Sequence, residues 1–243
     1  MNDGVFRREL TLVSSDVDVF RRMRLHALFR NLQESSIAHT EALGAGRQRT
    51  LDKGALWVVS RMRVQVSRMP EYDETVTLES WPGETMRVIF PRYYRILSGD
   101  GTALVEASGM WVLMDAETRK LAFPDELDIR IDGMHTGHEL PLPDNVSCEG
   151  LPRSKAQPVH YSDIDLNGHV NNTRYLDWME DLFTPDFHRT HTLRELQINY
   201  LSEIRFTDSV TLHWQYENNV CRIKGDKDGA GAFTLRAQYQ EMD

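Results

Sequence analysis

In the stretch HYSDIDLNGHVNNTRYLDWMEDLF, residues 160–183, Asp165, Asn167 and His169 stand at alternate positions and two further amides follow at Asn171 and Asn172. A carboxylate, an amide and an imidazole brought to one place are the groups that general acid–base chemistry uses. Directly after them, Tyr175, Trp178, Met179, Leu182 and Phe183 recur at three- and four-residue spacing, which predicts a helix with one apolar face. Asn171 and Asn172 are suited to cap its first turn. The polar groups are thus crowded at a helix entrance.

The elements that must position them occur twice. Each half of the chain has a short strand, a polar turn, an amphipathic helix and then several strands with alternating apolar positions. The first helix lies within MRLHALFRNLQESSIAHTEALG, and its strands include LWVVSRMRVQV, ETVTLESW, RVIFPRYYRIL and ALVEASGMWVLM. The second half supplies LRELQINYL, SVTLHWQY, NVCRIKG and AFTLRAQY. One helix followed by a run of strands predicts an α+β unit with an antiparallel sheet packed on the helix. Pro- and Gly-bearing sequence of little periodicity separates the halves, giving a first domain over 1–125, a linker over 126–152 and a second domain over 153–243.

The two halves align residue by residue. SDVDVFRRMR lies over SDIDLNGHVN at a constant offset of 147 (165 − 18), and DETVTLESW lies over TDSVTLHW at an offset of 134. Asp165 then matches Asp18, whereas Asn167 matches Phe20, His169 matches Arg22 and Glu203 matches Met69. Were these polar residues needed by the shared fold, the first copy would need them too. Chemistry is expected in the second copy and another task in the first.

Composition narrows the classes. The apolar and charged fractions, 40% and 27%, are those of a globular protein. No apolar run is long enough for a spanning helix, so no membrane role is expected. The start lacks the pattern of a secretory signal. Cys148 and Cys221 stand alone, with neither a disulfide framework nor metal-ligand spacing, and a reduced, cytoplasmic chain is expected. No metal and no cofactor are expected. The net charge of −9 speaks against nucleic acid, yet residues 1–70 hold twelve Lys/Arg against seven Asp/Glu, a balance of +5, and the remainder −14. A basic surface for an acidic partner is one use of that asymmetry, and a set of solvated faces is the other.

The string DLNGHVNN, with Tyr175 three residues on, resembles the signature of the acyl-acyl carrier protein (acyl-ACP) thioesterases, and LWVVSRMRVQVSRMPEYDETVTLESWP resembles that family's first-domain strands. The resemblance runs from about residue 5 to 240. It implies two tandem hotdog domains, each an antiparallel sheet wrapped around a long central helix. It also implies hydrolysis of the thioester between a fatty acyl chain and the carrier protein's phosphopantetheine arm. A bacterial chain, or a processed plastid one, would suit it. Carried over, the catalytic set falls on Asp165, Asn167, His169 and Glu203. The family's Cys after the Glu is Ile204 here, so a Cys–His nucleophile is not available and carboxylates and imidazole remain.

Thioester hydrolysis needs an activated water or a nucleophilic carboxylate, an oxyanion stabiliser and a proton for the thiolate. Glu203 or Asp165 is the candidate to activate water, with direct attack by Asp165 left open. His169 is the candidate for proton transfer and Asn167 for orienting the carbonyl. Backbone N–H groups near Gly168 to Val170 are the candidate oxyanion donors. Tyr175 and Trp178 are expected in the core. The first domain is expected to hold the acyl chain on Met23, Leu28, Phe29, Leu32 and Trp57. The expected partner is acyl carrier protein, the expected state a monomer or homodimer. The alternatives are an acyl-coenzyme A thioesterase and a non-catalytic acyl-thioester binding protein.

Overall fold

The computed structural model describes residues 4–242. They fall into two compact units, one running through Arg24 and over Leu28–Pro143, the other comprising Leu25–Ala27 and the chain from Asp144 onward.

The first unit contains β1 (Phe6–Thr11), α1 (Leu25–Ala42), α2 (Arg47–Asp52), β2 (Ala55–Val66), β3 (Thr75–Pro82), β4 (Ile89–Leu97), β5 (Ala103–Asp115), β6 (Leu121–Ala122) and α3 (Pro124–Leu127). Its main sheet is antiparallel in the order β1-β3-β4-β5-β2, with β6 paired to the end of β5. Strand β2 shows how the sequence keeps its core face. Its buried positions change parity from Ala55 and Val59 to Met62, Val64 and Val66, and a bulge between Val59 and Arg61 absorbs the extra residue. Helix α1 turns Leu28, Phe29, Leu32, Ser35, Ser36 and His39 inward. It stops where Gly44 takes φ +74°, a conformation without penalty only for glycine.

The second unit contains β7 (Arg153–Gln157), α4 (Arg174–Glu180), α5 (Pro185–Thr190), β8 (His191–Tyr200), β9 (Val210–Glu217), β10 (Val220–Lys227) and β11 (Ala230–Glu241). Its sheet order β7-β9-β10-β11-β8 repeats that of the first unit strand for strand. The helix differs. Where α1 has eighteen residues, α4 has seven, and the apolar Leu182 and Phe183 fall in the turn that follows. Pro185 opens α5 with the Thr184 side chain accepting from Phe187 N, so the chain restarts a helix instead of extending one. Phe183 then stacks on Phe187 at 4.1 Å, which keeps the apolar face without the long helix.

Residues 128–152 form neither helix nor strand, but they are held along their length. Ile129 is buried, Met134 N donates to Pro82 O and Ser108 Oγ donates to Pro141 O in the first unit. In the second, Asp144 N donates to Gln197 Oε1 and Cys148 Sγ lies 3.7 Å from Leu235 O. No helix of the described residues is long and apolar enough to cross a membrane.

Candidate active site

The polar stretch folds as a tight loop between a short 3-10 turn (Tyr161–Asp163) and α4. Asp165 N donates to His169 O (2.9 Å), Gly168 N to Asp165 O (3.0 Å), Asn171 N to Asp163 O (2.8 Å) and Val170 N to Ile204 O (2.7 Å). The first unit makes the same four bonds with the matching residues: Asp18 N to Arg22 O (2.8 Å), Arg21 N to Asp18 O (3.0 Å), Arg24 N to Asp16 O (2.9 Å) and Met23 N to Pro70 O (2.8 Å). The left-handed position of the loop holds Gly168 at φ +77° in one copy and Arg21 at φ +67° in the other. The backbone is therefore one device used twice, and the side chains carry the difference.

In the first unit Arg22 turns back onto Asp18, its Nη2 and Nε lying 3.1 and 3.3 Å from Oδ2. In the second, His169 at the same place reaches away from the loop, and its Nε2 lies 2.9 Å from Glu203 Oε2. The His169 and Glu203 side chains are 19% and 36% exposed, so the pair is reachable yet partly shielded. Met69, at the position matching Glu203, is buried. Asp165 Oδ1 accepts from Asn167 N (2.8 Å), as Asp18 Oδ1 does from Phe20 N (2.8 Å), which makes this contact a property of the turn. Asn167 is exposed with its backbone fixed by that bond.

Two expectations need correcting. The N–H groups of Gly168 and Val170 both donate to protein carbonyls, so neither is available to an oxyanion. Loop closure takes those two donors, and Asn167 offers an exposed side-chain amide at the same turn. Nor does an asparagine cap α4. The N-cap is Thr173, while Asn171 Oδ1 accepts from Thr173 N (3.0 Å) and Oγ1 (2.7 Å) one step earlier.

Sequence reasoning missed two supports. Lys227, at the end of β10, donates from Nζ to the Glu203 carbonyl and lies 3.5 Å from Asp208 Oδ2. No spacing links residues 203 and 227, so the signal was absent. Tyr175 is buried as expected, stacked on Phe233 at 4.4 Å and 6°, but its hydroxyl also meets the Ile204 backbone. Burial first, and the facing charge of Asp165 second, raise its pKa. Tyr175 thus ties the helix to the loop after β8 that carries Glu203.

The cysteines lie outside this chemistry. Burial pushes the Cys221 thiol up to about 12 and raises Cys148 as well, so both stay protonated. Ile204, the residue after Glu203, is fully buried. Among the described residues no cluster of three His, Cys, Asp or Glu side chains could hold a metal ion. Of the expected acyl-chain residues, Met23, Leu28, Phe29 and Leu32 lie in the buried core, and Trp57 is half-buried with Nε1 donating to Ala45 O (2.8 Å).

The comparisons agree with this layout. The descriptions "Acyl-ACP thioesterase N-terminal domain" and "Acyl-ACP thioesterase C-terminal domain" match residues 3–128 and 151–241. The chain belongs to the acyl-ACP thioesterase family. Among relatives of this family, an acyl-[acyl-carrier-protein] hydrolase of Cuphea viscosissima is 28% identical over 221 residues, covering 84% of this chain and 53% of that protein. The chain spans about half the length of the curated relatives it matches. An acyl-ACP thioesterase from Bacteroides thetaiotaomicron superposes with TM-score 0.85 at 23% identity, covering 98% and 99% of the two chains. The 12:0-ACP thioesterase of Umbellularia californica superposes at 0.82 with 20% identity over 98% of each. These likenesses show the fold, the double hotdog of this thioesterase family.

Lys227→Met is expected to lower kcat roughly ten- to hundredfold with little change in KM, because Glu203 loses its anchor and drifts by about an ångström. Steady-state kinetics on one acyl thioester checks this, with far-UV circular dichroism confirming an unchanged fold.

Proposed function

We propose that the chain hydrolyses the thioester of a fatty acyl group carried on acyl carrier protein, releasing free fatty acid and the carrier thiol. The observation that carries this is the His169–Glu203 pair, which replaces Arg22 and Met69 on a loop whose backbone hydrogen bonds are the same in both copies. An ionised Glu203 accepting from Nε2 holds His169 in the tautomer whose other ring nitrogen bears the lone pair. The pair then takes a proton from the attacking water and returns it to the leaving thiolate. Asn167 offers its side-chain amide to the thioester carbonyl, where negative charge develops. Asp165 sets the turn that presents Asn167. Direct attack by Asp165 is disfavoured, since its contact repeats in the first copy.

The first unit, without that pair, holds the acyl chain on its apolar face. It also supplies the carrier's docking surface. Several of its cations are already paired, Arg22 with Asp18, Arg68 with Glu74 and Arg49 with Asp128, but Arg21, Arg47 and Lys53, like Arg49, are exposed. Turnover of the carrier-linked substrate is therefore expected to fall with salt more steeply than turnover of a neutral acyl-thioester mimic. Equal slopes would remove the docking surface from the account. The proposal itself is tested by rates on matched acyl-ACP and acyl-coenzyme A substrates over a range of chain lengths. A clear preference for the carrier-linked set supports it. Equal or faster turnover of the coenzyme A set moves the chain to a broader thioester hydrolase.

A further inference from the structure

The loops that follow β2 and β8 share one backbone. Ser67 N and Arg68 N both donate to Leu104 O (2.9 and 3.3 Å), and at the offset of 134 Leu201 N and Ser202 N both donate to Ala232 O (2.8 and 3.0 Å). Further on, Glu74 N donates to Glu71 O (3.1 Å) and Glu74 Oε2 accepts from Glu71 N (2.9 Å). Asp208 makes the same two bonds with Arg205, at 3.1 and 2.9 Å. Between these fixed points stands Met69 in one copy and Glu203 in the other.

A cation bridges the loop in each copy, but it comes from a different place. In the first, Arg68 Nη1 donates to Met69 O (3.1 Å) and to Glu74 Oε2 (3.0 Å), with Nη2 on Glu74 Oε1 (2.7 Å). In the second, Lys227 Nζ donates to the Glu203 carbonyl and lies 3.5 Å from Asp208 Oδ2. The groups joined are the same, a main-chain carbonyl at 69 or 203 and a carboxylate at 74 or 208. Where Arg68 stands, the second copy has Ser202. Where Lys227 stands, the first copy has a serine too. Thr211 faces Asp226 across β9 and β10 as Thr77 faces Leu97 across β3 and β4, so Ser98, one residue past Leu97, is the counterpart of Lys227. Cation and serine have changed places, and the contact is kept.

In the first copy this bridge has only the buried Met69 to hold. In the second it holds the residue whose carboxylate meets His169 at 2.9 Å, where a misplacement of about an ångström costs rate. Lys227 bonds the main chain of Glu203 and faces the charge of Asp208, which leaves the Glu203 carboxylate to the imidazole. We propose that Asp208 is a positioning residue for the reaction. With Lys227 it forms a brace that sets Glu203 against His169, and a cation at position 202 serves that brace as well as one at 227. The proposal rests on the reading that Glu203 and His169 act on a thioester.

The test uses the whole chain and compares wild type with Asp208→Asn, Lys227→Ser, those two combined, and Lys227→Ser joined to Ser202→Arg, which writes the first copy's arrangement into the second. On one acyl thioester, well below each melting midpoint, Asp208→Asn is expected to lower kcat roughly tenfold or more with KM within about twofold of wild type. The combined variant should match Lys227→Ser within about threefold, because the two residues act as one brace. Adding Ser202→Arg to Lys227→Ser should return kcat to within about threefold of wild type. The 15N NMR signals of the His169 ring give a readout without turnover. Wild type and the relocated cation should both show the proton on Nε2, and Asp208→Asn and Lys227→Ser a mixture of tautomers. Unchanged kcat in Asp208→Asn, losses that multiply in the combined variant, or no recovery on adding Ser202→Arg overturns the proposal. Should Asp208→Asn fail to fold, the relocated cation still decides it. If wild type hydrolyses no thioester, the hydrolase reading fails, and the ring signals alone decide whether the brace positions Glu203.

Discussion

Glu203→Gln is expected to lower kcat for acyl-thioester hydrolysis by about 10²- to 10⁴-fold, with KM changed only severalfold. Glutamine keeps the shape and can still meet His169, but it cannot take up a proton or hold a charge against the imidazole. His169→Ala should cost a similar factor. The double variant should be hardly worse than either single one, because two groups that act as a unit lose their joint effect once. A fold explanation makes the opposite forecast. Both side chains are partly exposed, and a partly exposed polar pair contributes little to stability, so the thermal midpoint should stay nearly unchanged. Additive losses, or losses accompanied by a lowered midpoint, would show that the pair supports the loop without acting in the reaction.

Phe233→Ala is the change expected to cost most stability. Phe233 is fully buried in β11, stacked against Tyr175 from α4 and lying over Gly225 of β10, where any added Cβ would collide with its ring. The ring therefore links the helix to the sheet beneath the site. Its removal leaves a cavity that stiff neighbours cannot fill, at a cost of about 3–5 kcal/mol. For a chain of this size that lowers the melting midpoint by roughly 10 °C, measurable by calorimetry. Activity should fall even below the melting range, since Tyr175 would no longer be held against Ile204 and the loop that carries Glu203 would loosen. Unchanged melting would mean that Phe233 is not the piece that fixes α4 to its sheet.

The parts of this architecture that rest on local periodicity were legible in the sequence. Helix α1, the strand runs of both halves and the duplicated Ser-Asp-x-Asp turn all follow from apolar spacing and turn chemistry. The second helix was read too long because Leu182 and Phe183 keep helical spacing, although Thr184-Pro185 was a visible restart signal. Of the site, the mismatches at positions 167, 169 and 203 were visible once the two copies were aligned. That His169 meets Glu203 across 34 residues was not, since no spacing rule connects one loop to another so far along the chain. The same holds for Lys227, whose contact is with the Glu203 main chain. Two of the expected oxyanion donors are engaged elsewhere, for a further reason. A sequence shows that N–H groups exist near a helix entrance, but only the folded loop shows that Gly168 and Val170 have spent theirs on carbonyls.

The central claim is that the second unit cleaves a carrier-linked acyl thioester. The most direct measurement is release of the carrier thiol and of free acid from purified acyl-acyl carrier protein, followed through many turnovers of the purified chain. The account predicts equal amounts of thiol and acid, at an initial rate proportional to protein concentration. A carrier substrate that binds and is recovered intact would contradict it, and would make this chain a thioester-binding protein.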